Sequence, residues 1–188
     1  MELGKTAYVI LGMLRLGRRT GYEIKSLVDV STRFFWAASY GQIYPELARL
    51  EKLGLVRGRR ADSGGRRRKT YELTADGERA LDDWLTSPAP LHLELRHEGV
   101  LKAFFSDALA PGERAAQWRR MREQHERVAQ QLQAIEPGAA EAADERGERM
   151  PLKVLEFGIA YQQFVADWCA RMERAEAESA APVAAERS

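Results

Sequence analysis

LVRGRRADSGGRRRKTYEL, residues 55–73, gathers seven cations (Arg57, Arg59, Arg60, Arg66, Arg67, Arg68 and Lys69) around the adjacent glycines Gly64 and Gly65, with Asp62 the one acid between Arg57 and Lys69. The whole chain of 188 residues carries a formal net charge of only +1. Like charges this close repel one another and resist burial without partners, so packing does not account for them. Two short extended segments, 55–60 and 69–73, flank ADSGGRRR, whose glycines permit the positive φ of a reversing turn. The result is a two-stranded hairpin with a cationic tip. An isolated run of this kind reads as a solvated surface hairpin; the segments on either side change that.

Upstream, residues 7–16 are almost continuously apolar and stop at Gly17, as a short buried helix does. Thr20 followed by Glu23 is a capping box opening a second helix, with Ile24, Leu27 and Val28 as its apolar stripe. After the aromatic connector RFFWAA, Ser39 and Gln42 repeat the device, and Ile43, Leu47 and Leu50 recur at i, i+4 and i+7 before Gly54. Pro45 lies inside this third helix, beyond the position where a missing N–H is harmless. The first turn is therefore expected to be irregular, or to begin later than Ser39 suggests. Downstream, Thr74 caps a fourth helix with Asp76 and Glu78 in its first turn, running through Leu81, Trp84 and Leu85 to SPAP. Three helices, a hairpin and a closing helix are the element order of a winged helix-turn-helix, here residues 1–88.

In that arrangement the cations acquire a role. A hairpin tip reaches a minor groove or phosphate row, and each phosphate neutralised releases counterions, giving affinity with little sequence information. Arg66, Arg67, Arg68 and Lys69 are the candidates. Base contacts fall to the third helix, which enters the major groove. With Ile43, Leu47 and Leu50 inward, Gly41, Pro45, Ala48 and Lys52 lie opposite, flanked by Gln42, Tyr44 and Arg49. Ser39 and Tyr40 stand at the end that enters first, and Lys25 on the second helix completes the set. Gln42 has two readings: it completes its capping box, or its amide reads adenine. Tyr44 contacts a phosphate or a thymine methyl, or one of Tyr40 and Tyr44 packs against a neighbouring helix.

The series GYEI (Gly21–Ile24), YGQIYPELARLEKLGLV (Tyr40–Val56), the basic Gly-Gly hairpin and YELTADG (Tyr71–Gly77) resembles the PadR family of bacterial transcriptional regulators. The pattern is matched at Gly41, Tyr44, Pro45, Leu47, Leu50, Glu51, Gly54, Leu55 and Val56, and the resemblance covers roughly residues 5–86. It implies a cytoplasmic repressor that binds an inverted repeat of double-stranded DNA as a homodimer and is often released by a small aromatic or amphipathic effector. It also accounts for Pro45, which the family's recognition helix shares. The helical pattern of the second half is similar to the longer subfamily, in which those helices form the dimer.

That second half, residues 89–175, reads as a mainly α, coiled-coil-like dimerisation domain. Residues 95–109 form a helix with Val100, Leu101, Phe104, Phe105 and Ala108. A helix from 111 to 135 carries Trp118, Met121, His125, Val128, Leu132 and Ile135 at spacings of 3 and 4, a coiled-coil seam that requires a partner helix. An Ala/Glu-rich connector with Pro137, Gly138 and Gly147 follows, and Pro151 opens a last helix through Leu155, Ile159, Gln162, Trp168 and Met172. The expected dimer interface is Trp118, Met121, His125, Val128, Leu132, Leu155, Ile159 and Gln162. The tail 176–188 has nothing apolar enough to pack and is expected to be disordered. Trp84, Phe104, Trp118 and Tyr161 form a candidate effector pocket, although aromatics at helical spacing are more often core.

Charge divides along the chain, net +5 over residues 1–90 and net −4 over 91–188, so the first half suits a polyanion and the second does not. The single cysteine, Cys169, excludes an internal disulfide and reads as a small buried hydrophobe or a redox-sensing thiol. His92, His97 and His125 share no metal-binding spacing, and no cofactor is expected. Neither a phosphate-binding glycine motif nor a Gly-x-Ser-x-Gly elbow is present, so an enzyme is not expected. No run of about 18 apolar residues spans a bilayer and the N-terminus lacks a charged leader, which makes the cytoplasm the expected location and excludes a membrane partner. The alternative from another class is a winged-helix protein-interaction module on a coiled-coil scaffold, its basic hairpin meeting an acidic protein surface.

Overall fold

The computed structural model describes residues 3–32, 35–36, 39–63, 66–91, 95–147 and 149–180; at positions 30, 61–63, 66–68 and 180 it describes the backbone alone. The chain divides into two compact units, Met1–Leu91 and His92–Ser188.

The first unit contains α1 (Lys5–Arg15), α2 (Gly21–Val30), α3 (Tyr40–Lys52), strands β1 (Val56–Ser63) and β2 (Arg66–Leu73), and α4 (Ala75–Leu85). Its core is assembled from the apolar stripes read above. Ile10 and Leu11 of α1, Ile24 and Val28 of α2, and Ile43, Leu47 and Leu50 of α3 have no exposed surface, and Val56, Tyr71 and Leu81 close the cluster. Two of the three expected capping arrangements, at Thr20 and Thr74, operate through the capping hydroxyl. Thr20 Oγ1 accepts from the Glu23 N–H at 3.1 Å while Glu23 Oε2 accepts from the Thr20 N–H at 3.1 Å, and Thr74 Oγ1 accepts from the Gly77 N–H at 3.1 Å. Helix α3 is regular from Tyr40 onward, contrary to the irregular or late start expected from Pro45. The carbonyl that Pro45 leaves without its helical donor belongs to Gly41, which is exposed and can turn to water.

The hairpin is longer than the sequence suggests. Val56 pairs with Leu73 and the antiparallel register continues outward to Ser63 opposite Arg66, so six of the eight residues read as a turn, 61–63 and 66–68, belong to the strands. Gly64 and Gly65 lie outside the described residues. The base of the hairpin is tied to the helices by main chain: Thr74 N–H donates to the Leu55 carbonyl at 3.1 Å and Tyr71 N–H to the Arg19 carbonyl at 2.7 Å. Gly77 is required where α4 crosses Leu55, because a Cβ there would collide with that same carbonyl oxygen. Arg15 joins α1 to α4 through Glu78 at 2.6 Å and Asp82 at 2.8 Å.

The second unit contains α5 (Glu98–Phe104), a single 3-10 turn at Ser106–Ala108, α6 (Pro111–Arg146) and α7 (Arg149–Ala180). The helix expected over 95–109 is thus broken at Phe105. The connector expected at Pro137 is instead continuous helix. Pro137 and Gln133, whose carbonyl loses its donor, are both exposed, while Ala143 beyond them is buried. The helix ends at Gly147, in the left-handed region at φ 68°. Residues 176–180, expected in the disordered tail, continue α7, and Glu176 pairs with Arg114 at 2.8 Å; 181–188 lie outside the described residues.

The seam of α6 meets α7 of the same chain. Trp118 and Met121 pack with Val165 and Cys169, Trp118 stands edge-on to Trp168 at 5.0 Å, and Arg119 and Arg122 both engage Glu173. Cys169 is fully buried, and that burial pushes its thiol up. Among the described residues no group of three side chains could hold a metal, and no helix is long and apolar enough to cross a membrane.

Two of the histidines form one hydrogen-bonded file across the three helices. Val100 N–H donates to His97 Nδ1 at 3.2 Å, His97 Nε2 meets His125 Nε2 at 3.0 Å, and His125 Nδ1 meets Gln162 Oε1. His97 Nδ1 accepts, so its proton is on Nε2 and is donated to His125, which carries its own proton on Nδ1 toward Gln162. His97 is neutral in this arrangement, and a further proton on its Nδ1 breaks the bond from Val100. Burial, then the neighbouring His125, hold His97 below the ordinary histidine range. A histidine kept neutral by the fold contributes stability that is full above the unfolded value, near 6.5, and is lost as the pH falls. Urea unfolding is therefore expected to show a less stable second unit at about pH 5.5 than at about pH 7.5. His97→Phe is expected to reduce that difference.

Candidate nucleic-acid interface

Burial of Ile43, Leu47 and Leu50 turns the opposite side of α3 outward. Tyr40, Gly41, Gln42, Tyr44, Pro45, Ala48 and Lys52 are exposed, and Arg49 is half-buried. The small residues Gly41, Pro45 and Ala48 leave a shallow strip along the helix between polar and aromatic side chains, the profile of an element that approaches another surface closely.

Each side chain on this strip has a definite setting. Gln42 reaches back to its cap: Oε1 accepts from the Ser39 N–H at 3.0 Å and lies 3.3 Å from Ser39 Oγ. The capping role is thus realised through the oxygen, while the amide nitrogen with its two donors takes no part in it. Tyr44 rests on the first turn of α2, where a Cβ on Gly21 would come within 2.6 Å of its ring. Tyr40 stacks beside Tyr44 at 6.1 Å, and Lys25 Nζ lies 5.2 Å from the centre of the Tyr40 ring while pairing with Asp29. Tyr44 is the tyrosine that packs, yet both remain close to half exposed. Arg49 is paired with Glu46 at 2.7 Å.

On the hairpin, Arg57, Arg59 and Arg60 are exposed along β1. Arg66, Arg67 and Arg68 lie on β2 opposite Ser63, Asp62 and Ala61, with their side chains outside the described set. Lys69 differs from its neighbours. Its Nζ is 2.5 Å from Glu51 Oε2 on α3 and 5.1 Å from the Tyr71 ring centre, and the bond to Glu51 raises its already high pKa.

The other sequence-derived sets are dispersed or already engaged. Trp118, Met121, His125, Leu132, Ile159 and Gln162, expected to meet a second subunit, are buried within the chain, and Val128 and Leu155 are half-buried. The members on α6 meet α7 of the same chain, and Leu155, Ile159 and Gln162 on α7 meet α6. Of the four aromatics in the candidate effector pocket, Trp84 belongs to the first unit, stacked on Tyr8 at 4.5 Å. In the second unit Phe104 is exposed, Trp118 is packed on Trp168, and Tyr161 stacks with Phe157 at 6.4 Å. A groove of about 400 Å³ between α6 and α7 is lined by Glu126, Gln130, Gln163 and Asp167 with two alanines, and contains none of the four.

Several exposed residues escape the sequence reading. Tyr22 on α2 and Phe35 and Trp36 before α3 are 65%, 56% and 44% exposed, on or between the helices that flank the strip. For Phe35 and Trp36 the signal was the aromatic connector itself. Gly58 also escapes it; a glycine inside a strand is a mark of close approach.

Residues 10–83 match the PadR-like family of transcriptional regulators, and residues 95–175 match the C-terminal domain of the virulence activator alpha family. The negative transcriptional regulator PadR of Bacillus subtilis is 38% identical over 104 residues, 55% of this chain and 57% of that protein, so the match spans little more than half of this curated relative. The crystal structure of B. subtilis PadR in complex with operator DNA is similar with a TM-score of 0.85 and 27% identity, covering 94% of this chain and 99% of that one. B. subtilis PadR in complex with p-coumaric acid gives a TM-score of 0.73 and 26% identity over 91% and 94%. The Vibrio cholerae virulence activator AphA, at 23% identity and a TM-score of 0.70 over 93% and 99%, shares the fold.

The two roles of Gln42 are separable by substitution. Gln42→Glu keeps the accepting oxygen and is expected to hold folding stability within about 0.5 kcal/mol, whereas Gln42→Ala is expected to lose roughly 0.5–1 kcal/mol, measured by urea denaturation.

Proposed function

We propose, from the match of residues 10–83 to the PadR-like family of transcriptional regulators, that the chain is a sequence-specific DNA-binding regulator, a repressor that holds an inverted-repeat operator as a homodimer. The observation that carries this reading is the two-sidedness of α3. Three fully buried apolar residues face the core, and a shallow strip of small, polar and tyrosyl residues faces out, continuing directly into a cation-bearing hairpin. Helix α3 enters the major groove, with Ser39, Tyr40, Gln42 and Tyr44 nearest the bases and Arg49, Lys52 and Lys25 beside the backbone. The hairpin is the wing, whose Arg66, Arg67 and Arg68 reach an adjacent minor groove or phosphate row. The operator complex of the similar B. subtilis PadR supports this assignment.

Two copies fix the separation of two recognition helices, so half-sites fall about one helical turn, roughly 10 base pairs, or a multiple of that apart. Residues 1–88 are the DNA-binding domain and 89–175 the dimerisation domain. Since the α6 seam is covered by α7, the dimer is formed through the apolar side chains the second unit leaves exposed. They include Leu101, Phe104 and Phe105 around α5, and Phe157 and Phe164 on α7, each more than half exposed. Exposed large apolar side chains in this number are characteristic of an interface. A small aromatic or amphipathic effector releases the operator by binding the DNA-incompetent dimer more tightly than the competent one. The p-coumaric acid complex of the relative supports that class of ligand.

Replacing Arg66, Arg67 and Arg68 together with alanine is expected to weaken binding to every duplex and to flatten the salt dependence by roughly one unit per lost phosphate contact. Replacing Tyr44 or Gln42 is expected to blunt preference among sequences instead. Full affinity of the triple variant at every salt concentration would overturn the wing assignment. Phe104→Asp combined with Phe157→Asp is expected to give a folded monomer by analytical ultracentrifugation, and an unchanged dimer would exclude that surface.

A further inference from the structure

Among the described side chains of the 57–69 run, Lys69 is the cation directed back at the recognition helix. Glu51 lies in the last turn of α3, Lys69 opposes Arg60 on the hairpin, and the two side chains meet at 2.5 Å above β1. Gly58 makes the meeting possible, because a Cβ at that position would collide with both Lys69 Cε and Glu51 Oε1. These are side-chain ends, so the collision is relieved by displacing the pair and not the backbone. Nearer its base the hairpin is secured by Val56 and Tyr71 in the core and by the main-chain bonds at Leu55 and Arg19. Beyond Gly58 and Tyr71 five register pairs run outward, from Arg59 opposite Thr70 to Ser63 opposite Arg66. At about 3.4 Å per residue that is roughly 14–17 Å of two-stranded ribbon, a structure that twists readily when alone. Among the described residues, the Glu51–Lys69 bond is the outermost side-chain tie between this ribbon and a helix.

We propose that Glu51 and Lys69, seated over Gly58, are positioning residues that clamp the wing to the recognition helix and set the angle at which both meet DNA. Lys69 is then not a phosphate contact, and Glu51, an acid at the edge of a DNA-binding face, favours binding through Lys69 instead of opposing it by repulsion. This rests on the DNA-binding reading above and deepens it.

The two roles give opposite signs. The probes are a duplex recovered from a randomised pool by the unsubstituted protein and a scrambled duplex of the same composition, each titrated over a range of salt. Under the clamp, Glu51→Gln lowers affinity for the selected duplex roughly fivefold. It leaves affinity for the scrambled duplex equal or higher and steepens its salt dependence by about one unit, because Lys69 is released to the phosphates. Lys69→Met costs a similar factor on the selected duplex with no change in salt dependence. Gly58→Ala, which alters no charge, also weakens selected binding, and the exchange Glu51→Lys with Lys69→Glu restores most of it. Circular dichroism of each variant checks that the fold persists. The clamp is overturned if Lys69→Met flattens the salt dependence by about one unit while Glu51→Gln tightens binding to both duplexes. It is equally overturned if all the variants bind as the unsubstituted protein does. Failure of the unsubstituted protein to bind any duplex would bring down the DNA reading itself, and the clamp with it.

Discussion

Complete burial of Ile43, Leu47 and Leu50 fixes the rotation of α3 about its own axis. Each is worth about 1.5–3 kcal/mol against exposure, and a rotation that withdrew them from the cluster formed with Ile10, Leu11, Ile24 and Val28 would lose all three at once. With the inner face held, the outer face has no freedom. Gly41, Pro45 and Ala48 must point outward, Tyr44 must fall on Gly21, and Glu51 must reach the hairpin. The chemistry offered to a partner is therefore a by-product of the packing.

Both units handle apolar surface in different ways. The first closes its stripes on one another and leaves outside mainly the aromatics around α2 and α3 and the end of α4 at Leu85. The second commits the α6 seam to α7 through Trp118, Met121, Val165 and Cys169, yet leaves phenylalanines of α5 and α7 in solvent. A long antiparallel pair has too little depth to bury more than one stripe per helix, so the remaining apolar side chains must find cover from another surface.

Local signals made the first unit legible. The box at Thr20–Glu23, the cap at Thr74, the i, i+4, i+7 stripe of α3 and the stop at Gly54 each encode one element within a few residues, and every one recurs in the structure. What was misread depended on neighbours distant in sequence. Pro45 suggested an irregular or late start and Pro137 a connector, yet Gly41 and Gln133, whose carbonyls lose their helical donors, are exposed and the helix runs through both prolines. The α6 heptads announced a partner without saying whether it belonged to the same chain. His97 and His125, 28 residues apart, show no spacing motif and meet only because α5 folds against α6. Lys69 looked like its six cationic neighbours until the register set it opposite Arg60 and beneath Glu51.

The wing is a two-stranded ribbon, and among the described residues both of its outer borders carry backbone groups with no strand beside them. Such borders are where separate molecules join into extended sheets, and proteins commonly guard them with charge. In this chain the guard is already present: arginines at 57, 59, 60 and 66–68 put like charge on both borders, so two wings approaching side by side repel one another. The cations proposed to seek a polyanion thus also keep the ribbon from polymerising, and removing several of them would trade nucleic-acid affinity and colloidal solubility away together.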